Sequence, residues 1–202
     1  MTKKIDIKEV ITEKDYFAFV KFPFSLYNNN PYWVPPLIKD EIETLDPNKN
    51  PVYKNSSAKL FLAFRENKVV GRIAAIINWI EIKEVKKNKV RFGWYDVIDD
   101  VEVSKSLLNR VIDFGKENNM KTIEGPVGFS NLDKAGLLIE GFEEPNTIIT
   151  LYNSPYYSSH LKKLNFKVAA KWVEYEIKID KANKNKIEIF GSCKKKGQHL
   201  NH

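Results

Sequence analysis

Cysteine is almost missing from this chain. Cys193 is the only one among 202 residues, so neither a disulfide nor a cysteine-based metal site can form within one copy. No apolar run approaches the length needed to cross a bilayer as a helix. Residues 1–6 are charged with no apolar core behind them, which does not read as a signal peptide. Internal repeats are absent. These absences point to a cytoplasmic protein with no membrane partner, and no metal ligand set is expected. Basic charge is also scarce outside one place, despite the formal net of +7. Residues 181–202 hold six lysines and one glutamate, a net of +5, which leaves about +2 for everything before them. That distribution reads as a solvated tail rather than a nucleic-acid surface.

What is present is enough for a core: 12 phenylalanines, 9 tyrosines and 4 tryptophans in a chain of single-domain length. The most informative stretch is residues 90–125. Arg91 to Ile98 is rich in aromatic and β-branched residues, which suit a buried pleated surface. Asp99 and Asp100 are good helix N-caps. Val103, Leu107, Leu108, Val111, Ile112 and Phe114 then recur at spacings of three and four, one apolar helix face, and Asn118-Asn119 is a stop. Thr122-Ile123 starts a strand. A strand–helix–strand unit of this size makes a right-handed crossover between parallel strands, with ligands at the strands' carboxyl ends. Function is therefore sought around Tyr95 to Val103 and Gly125 to Asn131.

Around that centre, Ile5 and Ile7 predict a first strand. Asp15 to Lys21 predicts a helix that Pro23 ends or kinks. Asn28 to Pro36 is extended, anchored by Tyr32 and Trp33, and Leu37 to Leu45 is a second helix. Ala58 to Phe64 and Val69 to Asn78 form a hairpin about Arg65-Glu-Asn-Lys68, and both runs are apolar enough to be covered on both faces. Gly71 marks a bulge or a close backbone approach. Trp79 to Asn88 reads as a surface excursion. Residues 126–146 are irregular. Thr147 to Leu151 is strand-like, a helix runs from Pro155 to Leu164, and Asn165 takes the left-handed position after it. Phe166 to Ile179 is expected to be one strand or a pair.

This order of elements resembles the GNAT acyltransferase superfamily. The central strand–helix–strand carries the resemblance, together with Tyr152-Asn-Ser-Pro-Tyr-Tyr-Ser-Ser-His-Leu-Lys-Lys-Leu-Asn-Phe166, which looks like the family's asparagine, helix and closing Leu-Gly-Phe. Asn30-Pro-Tyr-Trp-Val-Pro-Pro36, Leu60-Phe-Leu-Ala-Phe64, Gly71-Arg-Ile-Ala-Ala75 and Gly136-Leu-Leu-Ile-Glu-Gly-Phe142 look like a bacterial group of GNAT-like proteins whose members are often longer. The resemblance implies an α/β fold with a central mixed, splayed β-sheet flanked by helices. It implies a GNAT-like domain over residues 1–180, with 181–202 as a disordered or non-native tail on a truncated or frameshifted copy.

The activity implied is acyl transfer, in the simplest case acetyl from acetyl-CoA, to a small amine. That chemistry needs a phosphate cradle, a donor for the thioester oxygen, a base and an acid. The stretch aligned with the cradle, Val97 to Ser104, has no glycine and three acids, Asp99, Asp100 and Glu102, which would satisfy the helix end themselves and repel a diphosphate. Asp96 is the expected base, with Asp133 and Glu140 as rivals. The family's usual acid position falls on Leu161, which leaves Tyr156 or Tyr157 as the acid and His160 as a solvated helix residue. Tyr95, Val97, Val103 and Asn153 are the expected cofactor contacts, Asn153 alternatively a cap of its helix. Gly128, Phe129, Ser130 and Asn131 form the expected acceptor-side loop. The alternative is a catalytically silent GNAT-like module that binds a ligand or a partner chain.

Overall fold

The computed structural model describes residues 4–130, 132–144 and 151–175. Its first compact unit ends at Phe166, and a second begins at Lys167. The first unit is built on a sheet of five strands in the order β1 (Asp6–Glu9), β2 (Ser56–Arg65), β3 (Lys68–Asn78), β4 (Lys89–Val97) and β5 (Thr122–Glu124). Successive pairs are antiparallel except β4 and β5, which are parallel, so the sheet is mixed. The helices are α1 (Glu13–Leu26), α2 (Ile38–Leu45), α3 (Trp79–Val85), α4 (Val101–Glu117) and α5 (Tyr156–Lys163).

The alternation along β2 divides the core. Phe61 and Ala63 pack with Ile73, Ala75, Phe92, Val103, Leu107 and Val111 under α4. Leu60 and Leu62 pack with Ala74, Ile76, Phe19, Val20 and Leu45 under α1 and α2. A period of two with apolar residues on both faces is what a strand covered on both sides requires. Gly71 answers to both of its expected readings. The register slips by one residue between Ala63↔Gly71 and Phe64↔Val69. A methyl at Gly71 would also lie 2.9 Å from Leu107 Cδ1 and 3.0 Å from Val103 Cγ1, so the missing side chain lets α4 sit down on β3.

Pro23, expected to end or kink α1, does not end it; it lies inside the helix. Proline lacks the N–H that would pair with the carbonyl four residues earlier. That carbonyl, on Phe19, instead accepts from the Arg72 guanidinium at 2.9 Å. A tertiary donor thus repairs the local defect. The helix begins with a capping box in which Thr12 and Asp15 satisfy each other's backbone N–H groups. Trp79 to Asn88 is not a plain excursion either. Asn78 accepts from Glu81 N–H and starts α3, and Lys86 closes it in the left-handed conformation. The Trp79 indole N–H donates to Ser57 at 2.9 Å and holds the helix on the hairpin.

The β4–β5 ladder is short. It joins Lys89–Arg91 to Thr122–Glu124 and is followed by one further bond, Val127 N–H to the Phe92 carbonyl at 2.8 Å. Val127 crosses so close to Gly93 that a side chain there would meet its carbonyl oxygen at 2.7 Å. Beyond that point the strands part, which is the splay expected for this fold. Thr147 to Leu151 falls largely outside the described residues, as do Asn131, the tail and the expected domain boundary at 180. Lys167 to Tyr175 is described but carries no strand, and Val168, Trp172, Val173 and Tyr175 are exposed. Its β-rich composition therefore makes no ladder among the described residues. No helix among them is long and apolar enough to cross a membrane.

Candidate active site

The site sits where β4 bends. Across β4 and β3, Arg72 faces Asp96 but Ala74 faces Gly93, so β4 carries an extra residue, and Trp94 takes a left-handed φ of 45° to accommodate it. The bulge sends the Trp94 indole towards α2, where its N–H donates to Glu41 at 2.7 Å. Two residues on, Asp96 is buried near the strand's carboxyl end, as the sequence implied.

Asp96 does not stand ready as a free base. One carboxylate oxygen accepts from Arg72 Nε at 2.7 Å and the other from the Tyr27 hydroxyl at 2.8 Å. The Tyr27 and Tyr157 hydroxyls are 2.9 Å apart, and Tyr157 accepts from the Val97 N–H, also at 2.9 Å. Tyr27 spends its one proton on the carboxylate, so Tyr157 donates to Tyr27. The result is a directed chain from Val97 N–H through both tyrosines to Asp96. Burial pushes both phenols well above their usual pKa, and the Asp96 charge adds to it. Both therefore remain hydroxyls at any ordinary pH.

Tyr156 and Tyr157, expected as candidate acids, occupy the strand edge instead. The Tyr156 hydroxyl donates to the Val97 carbonyl at 2.6 Å. With Tyr157 on the Val97 N–H, two consecutive side chains of α5 satisfy both backbone groups where β4 has lost its partner strand. Val97, an expected cofactor contact, has its N–H taken by Tyr157. Val103 is core, packed against Gly71. Tyr95 is buried and donates to Ser104 at 2.7 Å.

The helix end is closed as well. Asp100 is the N-cap of α4 and accepts from Glu102 N–H at 2.9 Å, while its other oxygen pairs with Arg65 at 2.6 Å. That pairing, chiefly the Arg65 hydrogen bond, holds the Asp100 carboxyl below its usual pKa. Glu102 turns outward to Lys105. Asp99 does not cap; it accepts from His160 Nε2 at 3.0 Å. His160 is buried rather than solvated. Its Nδ1 lies 2.9 Å from Ser104 Oγ, which already accepts from Tyr95. The Asp99 carboxylate can only accept, so Nε2 donates to it, and Nδ1 is held by the Ser104 hydroxyl. This second chain fastens α5 to the start of α4. The Asp100 carboxylate thus lies at the α4 N-terminus, and its charge opposes a diphosphate approaching there.

The remaining described candidates make the following contacts. Asn153 does not cap α5, whose N-cap is Pro155. It clamps the preceding loop, accepting from Leu138 N–H at 2.7 Å and donating to the Leu138 carbonyl at 3.2 Å. Phe129 is buried against Tyr53 and Trp94, and its carbonyl accepts from Asn78 at 3.0 Å and Arg91 at 3.1 Å. Asp133 accepts from Ser130 N–H at 2.8 Å beside Gly128. The loop thus lies next to the β4 bulge but is tied down there. Tyr27, Arg72, Ser104 and Glu41 were not singled out by sequence reasoning. Arg72 had a signal, since an arginine inside the apolar run Val69 to Ile77 must find a buried partner. Tyr27 had none, because its partners lie 69 and 130 positions away.

This arrangement, a mixed sheet splayed beside a bulged central strand with helices on both faces, is the GNAT acyltransferase fold. It superposes on a predicted acetyltransferase with acetyl-CoA from Clostridium acetobutylicum at a TM-score of 0.52 and 12% identity, over 86% of this chain and 96% of that one. A tandem GNAT protein from the clavulanic acid biosynthesis pathway matches at 0.54 and 11% identity, over 80% of this chain and 43% of that one. No family model matches the chain. Among curated proteins, it is 31% identical to Protein YghO of Escherichia coli K12 over 160 residues, covering 79% of this chain and 41% of that protein. It is 25% identical to the bacterial ceramide synthase of Caulobacter vibrioides over 173 residues, covering 85% of this chain and 45% of that protein. The chain thus matches less than half the length of either curated relative.

Proposed function

We propose that this chain is a unit of a cytoplasmic GNAT-type N-acyltransferase that moves an acyl group from an acyl-CoA, acetyl-CoA in the simplest case, to an amine. The observation that carries the reading is the buried Arg72–Asp96–Tyr27–Tyr157 chain at the carboxyl end of the bulged strand. An amine acceptor must be oriented as well as deprotonated, and a buried carboxylate that fixes the Tyr27 and Tyr157 hydroxyls at the strand end is suited to the orienting part. Asp96, with both oxygens engaged, acts through Tyr27 as a positioning residue. The name of the Caulobacter relative supports an amine acceptor, since a ceramide is an N-acylated amino alcohol.

A second reading is favoured by the closed helix end and the closed strand edge. In it, the unit transfers nothing itself and serves as a ligand- or partner-binding half of a longer protein. Calorimetric titration of the whole chain with acetyl-CoA, a long-chain acyl-CoA and free CoA separates the two. Acyl transfer requires saturable binding, on the order of micromolar or about −8 kcal/mol. It also requires that Asp100→Ser, which keeps a cap but removes the charge, tighten binding by about tenfold. No binding by the folded chain or by the Asp100→Ser variant would sink the acyltransferase reading of this unit and leave the second.

A further inference from the structure

One edge of β2 is covered for only part of its length. β1 pairs with Phe61 to Phe64 and stops at Glu9. Val10 adds a last bond, its N–H to the Leu60 carbonyl at 2.9 Å, and the chain then leaves the sheet for α1. On the other edge, β2 stays paired with β3 from Ser56 to Ala63 without a slip. Two bonds fix where the backbone groups of the uncovered part point. The Leu60 carbonyl faces β1, while the Asn55 carbonyl accepts from the Trp79 N–H on the β3 side, at 2.9 Å. Alternation along an unbroken strand therefore aims the N–H and C=O of Ser56 and Ala58 at the uncovered edge. Neither residue finds a backbone partner there among the described residues.

A cleft of about 620 Å³ opens along this edge. Ser56, Ala58 and Leu60, two positions apart, share the face of β2 that lines it, and Val10, Tyr16 and Tyr53 line it as well. Tyr53 is a fixed wall: its hydroxyl donates to the Leu45 carbonyl at 2.8 Å, and its ring meets Phe129 at 5.1 Å between centroids. Ser56 is only 5% exposed, yet its hydroxyl has no hydrogen-bond partner among the described residues. A buried hydroxyl left without a partner is the exception in a folded protein, and this one lies in the cleft.

An apolar molecule would fill the cleft but strand the outward N–H and C=O groups. An extended backbone satisfies them at the two-residue spacing at which they occur. The cleft also continues the line of β1, which already uses this edge of β2.

We propose that the open edge of β2 receives an extended peptide segment of a partner protein. The segment adds as a strand in the direction of β1, antiparallel to β2 at Ser56 and Ala58, with apolar side chains two positions apart seated in the cleft beside Tyr16 and Tyr53. In an antiparallel pair, the residues that exchange bonds with Ser56 and Ala58 also set their side chains on the same face as theirs. The cleft thus selects the very residues whose amides it bonds. This binding function goes beyond the acyltransferase reading and does not rest on it.

The probe is the blocked, fluorescein-labelled heptapeptide Lys-Thr-Val-Thr-Val-Thr-Lys, titrated with the full chain by fluorescence anisotropy. Saturable binding is expected. N-methylation of both valines removes the amides aimed at β2 and should weaken binding by about tenfold or more. N-methylation of the threonines, whose amides face away, should leave it within about twofold. Ala58→Pro removes an outward N–H at an edge position and interrupts no bond to β3; it should weaken the unmodified peptide by about tenfold at an unchanged circular dichroism spectrum. Absence of binding by the folded chain would overturn the proposal. So would equal binding of the two N-methylated peptides, or equal binding of the unmodified peptide by wild type and a folded Ala58→Pro variant. A dimer in sedimentation equilibrium that Ala58→Pro dissociates, with no peptide bound, would overturn it in favour of a second copy of this chain at the edge.

Discussion

Replacing Arg72 with methionine tests whether the buried chain is held by its cation. Arg72 and Asp96 have side chains only 7% and 11% exposed. Methionine fills most of the arginine's volume but leaves the Asp96 carboxylate buried with Tyr27 as its remaining donor. Breaking a buried pair by removing one partner costs about 3–5 kcal/mol. The Phe19 carbonyl, already without a helical partner because of Pro23, also loses its donor, at about 1–3 kcal/mol. These losses share one guanidinium and do not simply add. A total of about 4–6 kcal/mol is expected, a large share of the 5–15 or so that holds an ordinary domain together. Urea unfolding of the full chain, followed by tryptophan fluorescence and far-ultraviolet dichroism, measures it. Adding Asp96→Asn removes the stranded charge while keeping an acceptor for Tyr27, and should recover about 2 kcal/mol or more. If Arg72→Met costs less than about 1 kcal/mol, or if the second substitution makes it worse, the charge is not the organising element and the reasoning fails.

Three further outcomes are expected. Asp100 has its pKa lowered below 3.8, chiefly by Arg65; its stabilisation is present above that ordinary value and is lost as pH falls through the lowered folded value. Asp100→Asn should therefore flatten the acid limb of a stability–pH curve, and an unchanged limb would refute the pairing. Tyr27 and Tyr157 have raised pKa values, so their contribution is present below the ordinary value of 10.0 and lost as pH rises above it. Tyr27→Phe should diminish the alkaline loss of stability, read from unfolding midpoints above neutrality. Gly93→Ala sets a methyl 2.7 Å from the Val127 carbonyl oxygen; it should cost about 1–3 kcal/mol in denaturant unfolding, and a neutral result would mean that the crossing strand can yield.

The sequence by itself determined the parts built from local pattern. Nearly continuous apolar runs on both sides of residues 66 and 67 specify the β2–β3 hairpin, and those two residues turn through left-handed conformations. The three-and-four spacing from Val103 to Phe114 specifies α4, and Asp100 specifies its start. Leu37 to Leu45 was legible as α2 for the same reason, and Asn165 as the left-handed stop after α5. These features depend on neighbours within a few positions, whose chemistry is visible in a line of residues.

Only the tertiary structure decided the rest. Pro23 reads as a helix end or kink because its own peptide cannot donate; it lies within α1, where Arg72, on a different element, supplies a bond to the orphaned carbonyl. Tyr156 and Tyr157 read as free acids on a helix. They instead seal β4, because that strand loses its partner where the sheet splays and its backbone groups must be satisfied by something. His160 reads as solvated, yet lies buried between Ser104 and Asp99 because α5 packs against the start of α4. In each case a polar group was left unsatisfied by local structure, and the partner that satisfied it came from a distant part of the chain, where no local pattern could point to it.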